Sequence, residues 1–238
     1  MPTVSYILLG FYIVFLSLYI IQKLRCHSLK SVFLKTVTSL LFIALAIYHT
    51  YLKGMSLFAL MILLGFIFAL LGDIFLALKH VYKSEEKPFT LAGIISFALC
   101  HIFFIVGLFN SFYINGHPLA VILPFIFGLF VSIFLLLLEK IMKLHYGKMK
   151  IIIFSYSFLL YSMVGTSWSL LILSNFKLLS LLLMSIGAVL FAASDMLLCR
   201  TYFGKTKHKK FYVSANSVLY YGAQAMIAFA ILMLGVLI

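Results

Sequence analysis

The run from Ser56 to Leu78, SLFALMILLGFIFALLGDIFLAL, decides how the rest of the chain is read. It holds 23 residues and one charged side chain, Asp73. As a helix it reaches roughly 35 Å, and the hydrocarbon of a bilayer is about 30 Å thick. The reading is therefore a membrane-spanning helix with a carboxyl group near one end. A second stretch, LFAASDMLL from Leu190 to Leu198, repeats the pattern around Asp195. These are the only two aspartates in the chain. The three glutamates, Glu85, Glu86 and Glu139, fall in charged connecting segments.

The composition agrees. Of 238 residues, 65% are hydrophobic and 10% charged, whereas a soluble domain is nearer half apolar and a quarter charged. The apolar runs are continuous rather than alternating, which excludes a closed β-barrel. Eight spans are predicted, at roughly 4–22, 34–52, 56–78, 89–109, 119–138, 150–173, 178–198 and 214–237. The connections are short, so the whole of 1–238 is expected to be one integral-membrane domain, an all-α bundle of eight transmembrane helices. The first span has neither a basic segment before it nor a small-residue cleavage site after it, and is expected to be a retained helix. Cys26, Cys100 and Cys199 lie in or beside spans, with no disulfide framework or zinc spacing.

The net charge of +13 is explained by its distribution, not by a nucleic-acid partner. Sixteen of the 18 Lys and Arg residues fall in odd-numbered connections; the exceptions are Lys53 and Lys177. Cytoplasmic loops carry the basic excess. Connections one, three, five and seven are thus predicted to be cytoplasmic and both termini non-cytoplasmic. The third and seventh spans then run the same way. Asp73 precedes Lys79 by six residues and Asp195 precedes Arg200 by five, so both carboxyls lie about 8–9 Å inside the cytoplasmic boundary.

Their helix faces also match. Gly65, Ala69, Asp73 and Ala77 share one face of the third span; Ala188, Ala192, Asp195 and Cys199 share one on the seventh. Small residues mark close helix contacts in membranes, so each Asp is expected to point into the bundle. An intramembrane carboxylate costs roughly 2.5–3.5 kcal/mol on insertion scales, which makes it a functional candidate. The plainer reading is a polar rivet between helices. Other polar residues gather at the same end. Tyr156 lies about 9 Å into the sixth span. Ser217, Tyr220, Gln224 and Ala228 share a face of the eighth. Lys35 opens the second span as an interface anchor or a phosphate contact, and the basic seventh connection (Arg200, Lys205, Lys207, Lys209, Lys210) offers the same two readings. His101 is expected deeper, about 18 Å into the fourth span. With only His101 and the two Asp inside the bundle, and His101 at another depth, no metal site is expected, and no cofactor is expected.

Several motifs together resemble the YhhN family of membrane proteins, which includes lysoplasmalogenases. They are Gly72-Asp73 followed by Phe75-Leu76; Phe89, Gly93, Phe97 and His101 at spacing four; Tyr156 and Met163; Leu190-Phe191 with Ser194-Asp195; Phe203; and Tyr220-Tyr221 with Gln224. The likeness covers spans two to eight. It departs from the family pattern at Phe104, Leu219 and Thr201, and in lacking a Pro shortly after Lys35. The resemblance implies a multi-pass protein, of the cell membrane in a bacterium or the endoplasmic reticulum in a eukaryote. It implies hydrolysis of the vinyl ether bond of a lysophospholipid, giving a fatty aldehyde and glycerophosphoethanolamine or glycerophosphocholine. Asp73 and Asp195 are then expected to be catalytic. Lys35, His101, Tyr156, Ser194, Tyr220 and Gln224 are expected to bind substrate or support the pair. Vinyl ether hydrolysis needs an acid and an anion, roles two carboxyls divide in glycoside hydrolysis. Asp73, beside Gly72, is expected to be the acid; Asp195, beside the Ser194 hydroxyl, the anion. The expected partners are this lipid substrate and the bilayer. A lipid or proton-coupled transporter and a non-catalytic lipid-binding protein are the other classes consistent with intramembrane carboxylates. A transporter, however, usually places its site at the midplane on broken helices.

Overall fold

The structure is a computed structural model that describes residues 2–26, 28–113, 116–141, 143–204 and 208–238. Eight long helices account for nearly all of them: α1 Thr3–Arg25, α2 Leu29–Lys53, α3 Leu57–Leu78, α4 Glu86–Phe112, α5 Leu119–Ile141, α6 Lys150–Leu173, α7 Leu179–Phe203 and α8 Lys209–Leu232. Each is long and apolar enough to cross a membrane. In hydrocarbon every backbone N–H and C=O needs an internal partner, and a helix provides all of them within one segment. Local chemistry then sets the ends. Ser56 caps α3 by accepting from the Ala59 N–H at 3.1 Å, and α2 stops at Gly54, whose φ is +83°.

Two boundaries differ from the predicted spans in ways that matter. α2 starts at Leu29, five residues before the predicted 34. Ser28 takes an extended N-cap conformation and its carbonyl accepts from the N–H groups of Ser31 and Val32. Hydropathy excludes Lys30 and Ser31, but the backbone ladder does not. Lys35 consequently lies almost two turns inside the helix instead of opening it. α8 is shifted the same way and ends at Leu232, not 237. Gly235 (φ +76°) turns the chain. The last residues run back beside the start of α7: Leu179 N–H donates to Val236 O and Ile238 N–H to Lys177 O. Leu178 and Leu237 form an isolated antiparallel bridge.

Six helices close a circuit, α2–α3–α4–α6–α7–α8, with α8 returning to α2. α1 packs outside on α2 and α8, and α5 outside on α6. Burial follows this order: 67% of the most apolar window of α8 is buried, against 17% for α1 and for α5. The neighbour pattern of α1–α4 recurs in α5–α8, so that α3 corresponds to α7 and Asp73 to Asp195. Lipid gives no hydrophobic drive for helices to associate, so close van der Waals fit has to hold them together. Along α3 and α4 that fit is reciprocal. A Cβ at Gly72 would come within 2.7 Å of the Phe97 ring, and one at Gly93 within 2.6 Å of Leu76. Gly72 thus seats Phe97 beside Asp73.

Candidate active site

Asp73 is 1% exposed. Its Oδ1 pairs with Lys35 Nζ at 2.9 Å. Its Oδ2 accepts from Ser39 Oγ at 2.6 Å and from Tyr220 OH at 2.7 Å. Lys35 and Ser39 are four residues apart and so share one face of α2; Tyr220 comes from α8. The Tyr221 hydroxyl lies 3.2 Å from Ser39 Oγ, and Tyr12 of α1 donates to the Tyr221 carbonyl at 2.6 Å. Two helices, α2 and α8, therefore converge on the carboxylate that α3 carries. An ionised carboxylate has about four acceptor positions, so roughly one remains for water or substrate.

Asp195 is surrounded differently. The Tyr156 hydroxyl, from α6, donates to Oδ2. Ser194 Oγ stands 3.3 Å from Oδ1 but also donates to the Phe191 carbonyl at 2.9 Å. No cation pairs with Asp195 among the described residues. Tyr156 is in turn 3.3 Å from His101 Nε2. With the histidine proton on Nε2, a chain runs from His101 through Tyr156 to Asp195. His101 is fully buried and packs edge-on against Phe191 with ring centroids 4.9 Å apart.

Both carboxyl groups line one cavity of about 50 Å³. That is room for a few waters. Its wall carries Lys35 and Tyr220 on the Asp73 side, with Phe97 and Leu198 among the apolar side chains. Phe97, Phe191 and Tyr220 meet edge to face at 5.3–6.0 Å, and Phe97 and Tyr220 of this cluster line the cavity. Asp195 also lines two further cavities of about 80 Å³ each, one towards α5 and α6 and one towards α4. The largest cavity, about 850 Å³, lies far from the carboxyls. It is an apolar groove between α5 and α6 at the opposite end of the bundle. Beside the site, the Lys79 ammonium stands 3.2 Å from the centroid of the Tyr202 ring. Burial pushes the Lys79 pKa down to about 8.

Of the residues predicted from sequence, Asp73, Asp195, Lys35, Tyr156, Ser194 and Tyr220 come together here, and His101 joins through Tyr156. His101, expected at a separate depth, is within hydrogen-bond reach of Tyr156 because a tyrosine spans more than a helical turn. Lys35 pairs with Asp73. Gln224 is fully buried on α8, one turn beyond Tyr220, and lines none of the cavities that hold the carboxyls. In the seventh connection, Lys205 and Lys207 lie outside the described residues, as does the Lys209 side chain. Arg200 faces the Tyr212 ring at 5.8 Å, and Lys210 is exposed. Sequence reasoning missed Ser39 and Lys23, and named Tyr221 only as part of the Tyr220-Tyr221 motif. Ser39 was within reach of it, since four-residue spacing from Lys35 places both on one helix face.

No curated protein and no solved structure matches the chain. A family model does match, over residues 30–231. That span contains both aspartates and every residue bonded to them, and it leaves out the whole of α1. With eight membrane-spanning helices and that match over most of its length, the chain belongs to the YhhN family.

Proposed function

We propose that the protein is a membrane hydrolase that cleaves the vinyl ether bond of a lysoplasmalogen, with Asp195 as the general acid and Asp73 as the anion that aligns water. The observation that carries this reading is the unequal setting of two carboxyl groups in one small cavity. Asp73 has a cation and two hydroxyl donors. Asp195 has one firm donor and apolar neighbours. Environments that push two titrating groups apart separate acid from anion. This division is the reverse of the one expected from the neighbouring residues alone.

The reaction starts with the Asp195 carboxyl proton passing to the ether's outer vinyl carbon. The C=C electron pair forms the new C–H bond, and the adjacent carbon and oxygen share the positive charge. Asp195 is then a carboxylate facing the cation it has made. A water held by the remaining acceptor position of Asp73 adds to the carbon and returns a proton to Asp195. The resulting hemiacetal breaks its C–O bond, giving a fatty aldehyde and the glycerophospho-alcohol. One water is consumed and the acid is regenerated. Tyr156 orients Asp195, and Lys35 holds Asp73 through their ion pair. The eight spanning helices run unbroken, and the carboxyls lie towards one end. This suits a one-sided lipid site better than a midplane carrier site.

The test is purified protein in detergent with 1-alkenyl-glycerophosphoethanolamine or -choline, read by free aldehyde. Aldehyde release from the alkenyl lipids, and none of their hydrolysis in a no-enzyme control, is the expected result. A folded protein that releases no aldehyde from either head group overturns the proposal.

A further inference from the structure

The carboxyl cavity has a cationic mouth built partly from α1, the helix that lies wholly outside the family match. Lys23, in the last turn of α1, lines the same cavity as Asp73 and Asp195. It also lines an adjoining cavity of about 50 Å³ that shares His80, Leu198, Tyr202 and Asn216 with the first and has no Asp or Glu in its wall. Lys23 Nζ donates to Ser217 Oγ at 3.4 Å and stands 5.2 Å from the Tyr19 ring centroid. The nearest carboxylate of the cavity, Asp73, is already paired with Lys35. Among the described residues Lys23 makes no ion pair. A half-buried lysine that meets a hydroxyl oxygen and one aromatic ring at the edge of a cavity, with no carboxylate paired to it among the described residues, is matched to an anion.

We propose that Lys23, steadied by Ser217 Oγ, whose own proton goes to the Val213 carbonyl at 2.9 Å, and with the Asn216 amide lining the same cavity, receives the phosphodiester of the lysophospholipid head group. Asn216 gives its Nδ2–H to the Ser194 carbonyl at 2.8 Å, which fixes its side chain and ties the mouth to the residue before Asp195. In a lysoplasmalogen the ether oxygen and the phosphate oxygen sit at opposite ends of a three-carbon glycerol. That separation is of the same order as the distance across so small a cavity. Anchoring the phosphate at Lys23 therefore sets the vinyl ether against the carboxyls and leaves the chain to leave by the apolar cavities beside Asp195. Lys35 is the other cation of the wall, but its charge is balanced by Asp73. The inference rests on the hydrolase reading only in taking a lysophospholipid as the ligand.

The test needs no turnover. Thermal stabilisation of the intact protein is measured with 1-O-hexadecyl-glycerophosphocholine, whose saturated ether cannot react, with the neutral 1-O-hexadecylglycerol, and with inorganic phosphate alone. The wild type is expected to bind the phosphorylated lipid at least tenfold more tightly than the neutral one. Lys23→Met is expected to abolish that preference, and Lys23→Arg to keep most of it. An undiminished preference in Lys23→Met overturns the proposal. So does a Lys23→Met protein that loses both lipids alike while Lys23→Arg also fails. Lys23-dependent stabilisation by inorganic phosphate, without any preference between the two lipids, assigns the site to a free anion and overturns the head-group reading. Should aldehyde assays fail while the Lys23-dependent preference holds, the hydrolase reading falls and this site stands.

Discussion

Asp73 spends three of its acceptor positions on Lys35, Ser39 and Tyr220, so neutralising it acts on Lys35 as much as on any reaction. Removing one partner of a buried pair is destabilising by about 3–5 kcal/mol, because the other charge stays buried. Asp73→Asn is therefore expected to lower both turnover and thermal stability. Asp73→Asn with Lys35→Met is expected to recover much of the stability and none of the turnover. Asp195 has no cation to strand. Asp195→Asn is expected to leave the melting temperature within a few degrees of wild type and to cut kcat by about 10²–10⁴, the usual worth of a general acid. Paired melting and aldehyde-release measurements on the three variants check all of this. An Asp195→Asn protein with wild-type turnover would remove the acid from the mechanism. A single Asp73→Asn variant as stable as the double would show that the ion pair does not hold the site. The inequality of the two aspartates was not legible in the sequence. Their immediate neighbours, Gly72 and Ser194, suggest the opposite division. The deciding partners arrive from α2 and α8, 34 and 147 residues away.

On the scale of helices, the α3–α4 contact positions Asp73. Gly72 admits the Phe97 ring, and Phe97 in turn meets Phe191 and Tyr220; Phe97 and Tyr220 line the cavity. Gly72→Val puts two methyl groups where the ring stands. The overpacking is expected to cost about 1–3 kcal/mol. It also shifts α3 relative to α4, so kcat is expected to fall although no reacting group has changed. A melting curve and an aldehyde assay on Gly72→Val measure both. Unchanged values in both would show that α4 does not set the position of Asp73. The small-residue face on α3 was legible, because glycine and alanine recur at helical spacing. The ends of α2 and α8 were not. Hydropathy weighs side chains, and it stops at Lys30 and Ser31, where the backbone ladder continues. It also runs on through the apolar Met233–Ile238 segment, where Gly235 turns the chain back towards Lys177. The five-residue error at the start of α2 hid the pairing of Lys35, since only a lysine well inside the helix reaches the depth of Asp73.

For the whole molecule, the repeated neighbour pattern explains why two aspartates sit at matched depth. Each lies on the third helix of its half, and each is bonded by the helix before it: Asp73 by α2 and Asp195 by α6. The halves then diverge. α8 gives Asp73 a tyrosine at Tyr220, while α4 offers Phe97 to the cavity, and one end of the site is polar where the other is apolar. Span count, shared depth and inward-facing aspartates were readable from charge and periodicity alone, because lipid allows few alternatives to a bundle of uninterrupted helices. The same charges make the remaining prediction. The connections α1–α2, α3–α4, α5–α6 and α7–α8 and the helix turns beside them hold 16 of the 18 basic residues, leaving Lys53 and Lys177 for the opposite end. The basic excess is retained on the cytoplasmic side. The site is therefore expected to draw lipid from the cytoplasmic leaflet, with Lys23 facing the cytoplasm. A phosphatase that works only outside the cytoplasm, fused after Ile238, is expected to be active, and a fluorescent protein that matures only in the cytoplasm is expected to stay dark there. Moving both reporters to the α5–α6 connection should exchange the signals. If the C-terminal fusion instead fluoresces and its phosphatase counterpart is silent, the bundle is inserted the other way up, and its substrate must come from the outer leaflet.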